Sequence, residues 1–116
     1  MFTLIKNNRK YVPQFKRNSN LTHIILTCKD FDKRTFEELY RDSLRRGEFD
    51  VPFHYFIDSD GTVHEGRKDT EIASSRLYDY KTALHIFIDS PTTTLTDEQQ
   101  VALDELLSMY SGLIVT

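Results

Sequence analysis

The run "LTHIILTC" (residues 21–28) is apolar and β-branched almost throughout. Such a run suits a strand covered on both faces, which requires a layer on either side of a sheet. "TALHIFID" (82–89) is a second apolar strand. Two amphipathic helices supply the layers. In "DKRTFEELYRDSLRRG", Thr35 and Glu38 have capping-box spacing, and Phe36, Leu39, Tyr40 and Leu44 form one stripe. Arg45 and Arg46 sit at the negative end of its dipole, and Gly47 stops it. In "DEQQVALDELLSMY", Thr96 and Gln99 cap a stripe of Ala102, Leu103, Leu106, Leu107 and Tyr110, ended by Gly112. "FTLI" and "GLIVT" are short strands at either end, and "VPFHYFIDSDGTVHEGR" (51–67) predicts a hairpin of "FHYFI" and "TVHEG" around "DSDG". The order β-β-α-β-β-β-α-β predicts an α/β (α+β) fold, with a mixed central β-sheet flanked by helices. We expect one domain over 1–116, with residues 1–20 as a basic N-terminal strand and arm.

Size and composition narrow the class. With 116 residues the chain suits one core, and 39% hydrophobic with 28% charged residues is ordinary for a soluble globular protein. No apolar run approaches the roughly 20 residues of a membrane span, and the N-terminus lacks the pattern of a signal peptide. Cys28 is the single cysteine, which excludes an internal disulfide and suits a reducing compartment, so the expected location is cytoplasmic. Net charge is −3, yet residues 1–28 carry Lys6, Arg9, Lys10, Lys16 and Arg17 with no acid, so the remaining 88 residues carry −8. A basic arm on an acidic body fits an acidic protein surface or a phosphate. Too few aromatics interleave with it for a nucleic-acid partner.

The residues alone show no catalytic centre. A catalytic zinc needs three converging His, Cys or carboxylate ligands. His23 and Cys28 lie five apart on one strand and face opposite sides. In the hairpin, a four-residue loop 58–61 pairs His54 with Glu65 and His64 with Tyr55. A two-residue Asp60-Gly61 loop pairs His54 with Arg67 and His64 with Ile57. Either register turns His54 and His64 to opposite faces, so no metal ligands converge locally. Ser74 and Ser75 lack the strained turn of a nucleophile, and Asp58 and Asp60 suit the turn better than acid–base work. His85 reads as a sheet-face histidine paired to a neighbour, and His23 as a strand-end residue. We expect no metal and no cofactor.

The organisation resembles the zinc-dependent N-acetylmuramoyl-L-alanine amidases, the family of phage amidase-type lysozymes and peptidoglycan-recognition proteins, from about Leu21 to Tyr110. The aromatic-His-aromatic strand followed by "DGTVHEGR" is similar to that family's "YHF…DGT…GR" hairpin. "LTHIILTC" resembles its first core strand, "YKTALHIFID" a later strand, and "LTDEQQVALDELLSMY" the helix after it. The resemblance puts the first zinc-binding histidine on Thr27, a poor ligand, and the catalytic tyrosine on Phe53, which has no hydroxyl. It puts a groove histidine on Ser75, and the remaining ligands beyond "GLIVT", hence beyond Thr116. His54 and Arg67 match the pattern. The family resemblance thus implies a catalytically inactive member, phage-encoded and acting by binding.

Two modes of binding follow from it. A small ligand, muropeptide-like or an anionic host signal such as a nucleotide, would lie in the former groove against Thr27, Phe53, His54, Tyr55, Arg67, Ser75 and Arg76. Alternatively the surface binds and inhibits a protein, with Lys6, Arg9, Lys10, Lys16 and Arg17 as the contact. An opposing expectation is a residual zinc amidase using His54, His64 or His85. The apolar "GLIVT" edge makes a homodimer a further expectation.

Overall fold

The computed structural model describes residues 3–6, 15–48 and 50–116. Six strands form one sheet: β1 (Leu4–Ile5), β2 (His23–Lys29), β3 (Tyr55–Ile57), β4 (Val63–Glu65), β5 (Ala83–Asp89) and β6 (Ile114–Val115). Their spatial order is β1-β4-β3-β5-β2-β6. Only β3 and β4, the hairpin, pair antiparallel; the other neighbours are parallel. This is the mixed central sheet expected from the element order.

The helices are α1 (Phe36–Arg45) and α2 (Asp97–Ser108). Both predicted capping boxes form: Thr35 accepts from the Glu38 amide and Thr96 from the Gln99 amide, with each N3 side chain reaching back. Gln99 does more than cap. It is buried, and its Nε2 donates to Asp58 O at 3.0 Å and Asp89 O at 2.7 Å, tying α2 to the carboxyl ends of β3 and β5.

Strand alternation divides the core between two faces. Under α2 lies an aliphatic cluster of Ile24, Ile57, Val63, Leu84, Ile86, Ile88, Ala102, Leu103 and Leu106, with Tyr55 at its border. On the α1 face, Leu39, Val51, Phe53 and Phe56 gather Phe31, Phe36, Tyr40 and Phe87 around them.

Three expectations are corrected. The strand buried on both faces is β5; β2 buries only Ile24 fully, and β6 pairs with it at His23 and Ile24 alone. On α1, Leu44 is 44% exposed, and its place in the stripe goes to Ser43, whose Oγ donates to Leu39 O at 3.0 Å. The hairpin pairs Phe56 with His64 and Ile57 with Val63, a register between the two anticipated. His54 and His64 therefore share the α1 face instead of opposing each other. The turn explains the register: Asp58 Oδ1 accepts from the amides of Asp60 and Thr62, and Asp60 Oδ1 from the amide and hydroxyl of Thr62. A side-chain hydrogen bond with Asp58, and after it those from the Thr62 hydroxyl and amide, lower the Asp60 carboxyl to about 2.

Candidate ligand-binding site

On the α1 face, register sets His54 beside His85, His85 beside Ile25, and Thr27 beside Phe87. The two imidazoles lie 6.5 Å apart between centroids and 16° from parallel. His54 Nδ1 accepts from the His85 amide at 3.0 Å, and its Nε2 lies 2.7 Å from Glu71 O. A ring nitrogen that accepts from an amide is unprotonated, so the proton sits on Nε2 and is donated to the carbonyl. His85 likewise places Nε2 2.8 Å from Tyr78 O. Two buried histidines thus hold opposite ends of the 67–82 connection over the sheet.

Their titration follows from their surroundings. Burial, above all, lowers His54 to about 4, with the charges of His85 and Arg67 pushing the same way. Burial also lowers His85, with His23 adding to it. Both rings are neutral donors at pH 7. His23 bridges Thr22 Oγ1 (2.8 Å) and Asp79 Oδ2 (3.1 Å), and His64 contacts Asp58 Oδ2 at 2.9 Å while stacking on Phe36. Among the described residues no group of three His, Cys, Asp or Glu is placed to hold a metal ion.

Four of the seven groove candidates are interior. Phe53 is 2% exposed, with its ring 5.0 Å from Phe87 and 6.3 Å from Phe36. His54 is fully buried. Tyr55 points to the other face, where its hydroxyl lies 2.5 Å from that of Tyr110, which donates on to Asp69 Oδ2 at 2.8 Å. Burial raises both tyrosines. Arg67, 5% exposed, is a tie rod: Nε donates to Val51 O, Nη1 to Ile72 O, Nη2 lies 3.8 Å from Glu48, and the guanidinium stacks 3.8 Å from the Phe15 ring. Gly66 beside it permits the crossing, since a Cβ there would strike Phe53 O and lie 2.7 Å from Val51 Cγ2.

Half-exposed Thr27 and exposed Ser75 and Arg76 stay at the surface. They are linked through the core: Ser74 donates its amide to Pro52 O, next to Phe53, whose ring meets Phe87, the register partner of Thr27. Sequence reasoning missed Ile25, Phe87 and Tyr78. The period-two spacing of Ile25 and Phe87 with Thr27 and His85 was the available signal. Of the predicted arm, Lys6 meets Glu65 at 3.3 Å, Lys16 and Arg17 are exposed, and Arg9 and Lys10 lie outside the described residues.

A parallel-rich sheet with one helix on each face, a DSDGT hairpin and a connection strapped across the α1 face defines the amidase and peptidoglycan-recognition fold. Solved structures show it directly. The peptidoglycan-recognition protein PGRP-Hd from Alvinella pompejana superposes with a TM-score of 0.81 at 16% identity, over 98% of this chain and 85% of that one. The N-acetylmuramoyl-L-alanine amidase LysC from Clostridium intestinale gives 0.79 at 17%, over 99% and 81%. Bumblebee PGRP-SA gives 0.77 at 18%, over 99% and 78%. No protein-family model matches the sequence, and no curated protein does. At these identities the likeness is one of fold. No helix among the described residues is long and apolar enough to cross a membrane.

Proposed function

We propose that the chain is a binding protein on the amidase fold, holding a muropeptide-like ligand against the half-exposed face of β2 without cleaving it. The observation that carries this reading is the commitment of the histidines on the α1 face. His54 and His23 use both ring nitrogens within the fold, and His64 and His85 use Nε2. Recruiting Nε2 of His54 or His85 to zinc would release a carbonyl of the 67–82 connection.

The resemblance adds support. It puts the family's first metal ligand on Thr27 and its catalytic tyrosine on Phe53, whose ring is core. Without the metal, the activated water and the electrophile are lost together. Thr27, Ser75 and Arg76 are then the ligand contacts, with Arg76 suited to a carboxylate or phosphate.

Calorimetry with a soluble N-acetylmuramoyl peptide, followed by mass spectrometry of the mixture with added Zn²⁺, tests this. Binding with the peptide intact is the expected result, and Thr27→Trp should abolish it. Cleavage that depends on Zn²⁺ would restore the enzyme. Absence of binding would overturn the muropeptide ligand, and competition by a nucleotide would replace it with an anionic signal.

A further inference from the structure

The 67–82 connection is fastened from below at two points, yet Tyr78, whose carbonyl is one of them, leaves its side chain 78% exposed. The backbone around it is tied along its length. Leu77 donates to Ser74 O, Ala73 to Tyr80 O, and Thr82 and Ala83 to Asp79 O. Asp79 has a φ of 50°, a left-handed conformation held by those bonds. An exposed aromatic on a backbone this constrained loses little entropy when it is covered.

Basic residues lie on the same connection and on the segment bonded to it. Ile72 donates to Lys16 O, Ser19 to Lys81 O and Asn18 to Thr70 O, so segments 16–19, 68–73 and 76–82 form one continuous surface. Lys16, Arg17, Lys68, Arg76 and Lys81 are all exposed there, and among the described residues none has an ion-pair partner. Lys81 lies 5.7 Å over the Tyr80 ring. The acids of these segments have partners of their own: Asp69 accepts from Tyr110, Glu71 Oε1 from the Lys68 amide, and Asp79, itself exposed, meets His23.

We infer that this surface, which carries Tyr78 together with Lys16, Arg17, Lys68, Arg76 and Lys81, docks an acidic segment of a partner protein. Tyrosine and arginine are the side chains that anchor interfaces, and free cations around a fixed aromatic complement carboxylates around an apolar residue. A long polyanion fits less well, because it would run onto a body carrying −8 outside residues 1–28, and one exposed tyrosine is no stacking array. The surface is independent of the β2 groove except at Arg76.

Fluorescence anisotropy with a labelled peptide alternating glutamate and leucine tests it, with an alternating serine–leucine peptide and an oligothymidylate strand alongside. The acidic peptide should bind, weakening as salt rises. Tyr78→Ala and the triple reversal Arg17→Glu, Lys68→Glu, Lys81→Glu should each cost about tenfold or more in affinity. Because these residues are exposed, unchanged circular dichroism will show both variants folded, and muropeptide binding should persist in both. Tighter binding of oligothymidylate would assign the surface to nucleic acid instead. No binding of the acidic peptide, or binding indifferent to the variants, would overturn the inference.

Discussion

The two faces of the sheet are built on different chemistry. The α2 face is a hydrocarbon layer in which Leu84, Ile86 and Ile88 of β5 meet Ala102, Leu103 and Leu106 of α2. The α1 face changes along its length, from a phenylalanine cluster at one end to two buried imidazoles at the other. A hydrocarbon layer needs volume and pattern; a buried imidazole needs hydrogen-bond partners at defined positions, two for His54 and one for His85. The α2 face therefore holds the fold together, while the α1 face also fixes the connection that shapes the candidate site.

Substitutions can break this comparison, and the largest effect is expected under α2. Leu84→Ala should cost about 3 kcal/mol in denaturant unfolding, from lost burial and the cavity left behind. His54→Leu, which strands Glu71 O and the His85 amide, should cost roughly 2 kcal/mol. That second loss should come with faster amide exchange in residues 72–78, which Leu84→Ala would not single out. Equal exchange patterns in the two variants would mean that the imidazole is mere filling.

Acid should separate the faces as well. Folded His54 takes its proton at about 4, against an ordinary 6.5. Between those values the unfolded chain binds more protons, so stability falls as pH drops through that window and is recovered above about 6.5. His85 shifts in the same direction. In His54→Leu the slope of unfolding free energy against pH should flatten by about one proton. An unchanged slope would assign the acid sensitivity elsewhere.

Smaller effects sharpen the picture. Tyr110→Phe interrupts the chain from Tyr55 to Asp69, the polar border of the aliphatic layer, and should cost about 1 kcal/mol. Leu44→Gln should change stability by less than about 0.5 kcal/mol, since Ser43 occupies the buried position.

How much of this the sequence showed follows the same division. The helices were legible because capping boxes and 3.6-residue stripes are local, and both boxes formed as predicted. The layer under α2 was legible for the same reason. The hairpin register was not, because the DSDGT turn could close in several ways, and one residue of slip reverses every side chain. That slip is why His54 and His64 were assigned to opposite faces. Leu44 and Ser43 changed places because a serine can bury its hydroxyl on a helix carbonyl. The histidine clamp was least visible. Its acceptors are backbone carbonyls 17 and 7 residues away, groups that every residue possesses and that only the folded chain selects. Arg67 was read as a groove residue for a similar reason: its partners are also carbonyls, at Val51 and Ile72.

His54 and His85 are neutral clamps committed to the fold. The direct test is long-range ¹H–¹⁵N NMR of the imidazole nitrogens, titrated with acid and then with Zn²⁺. We expect His54 to show a protonated Nε2 and a bare Nδ1 at neutral pH, to titrate at about 4, and to keep its shifts when zinc is added. Zinc-induced shifts at two or more histidines, with His54 or His85 releasing its carbonyl, would show ligands in waiting and return the protein to the metal-dependent enzymes.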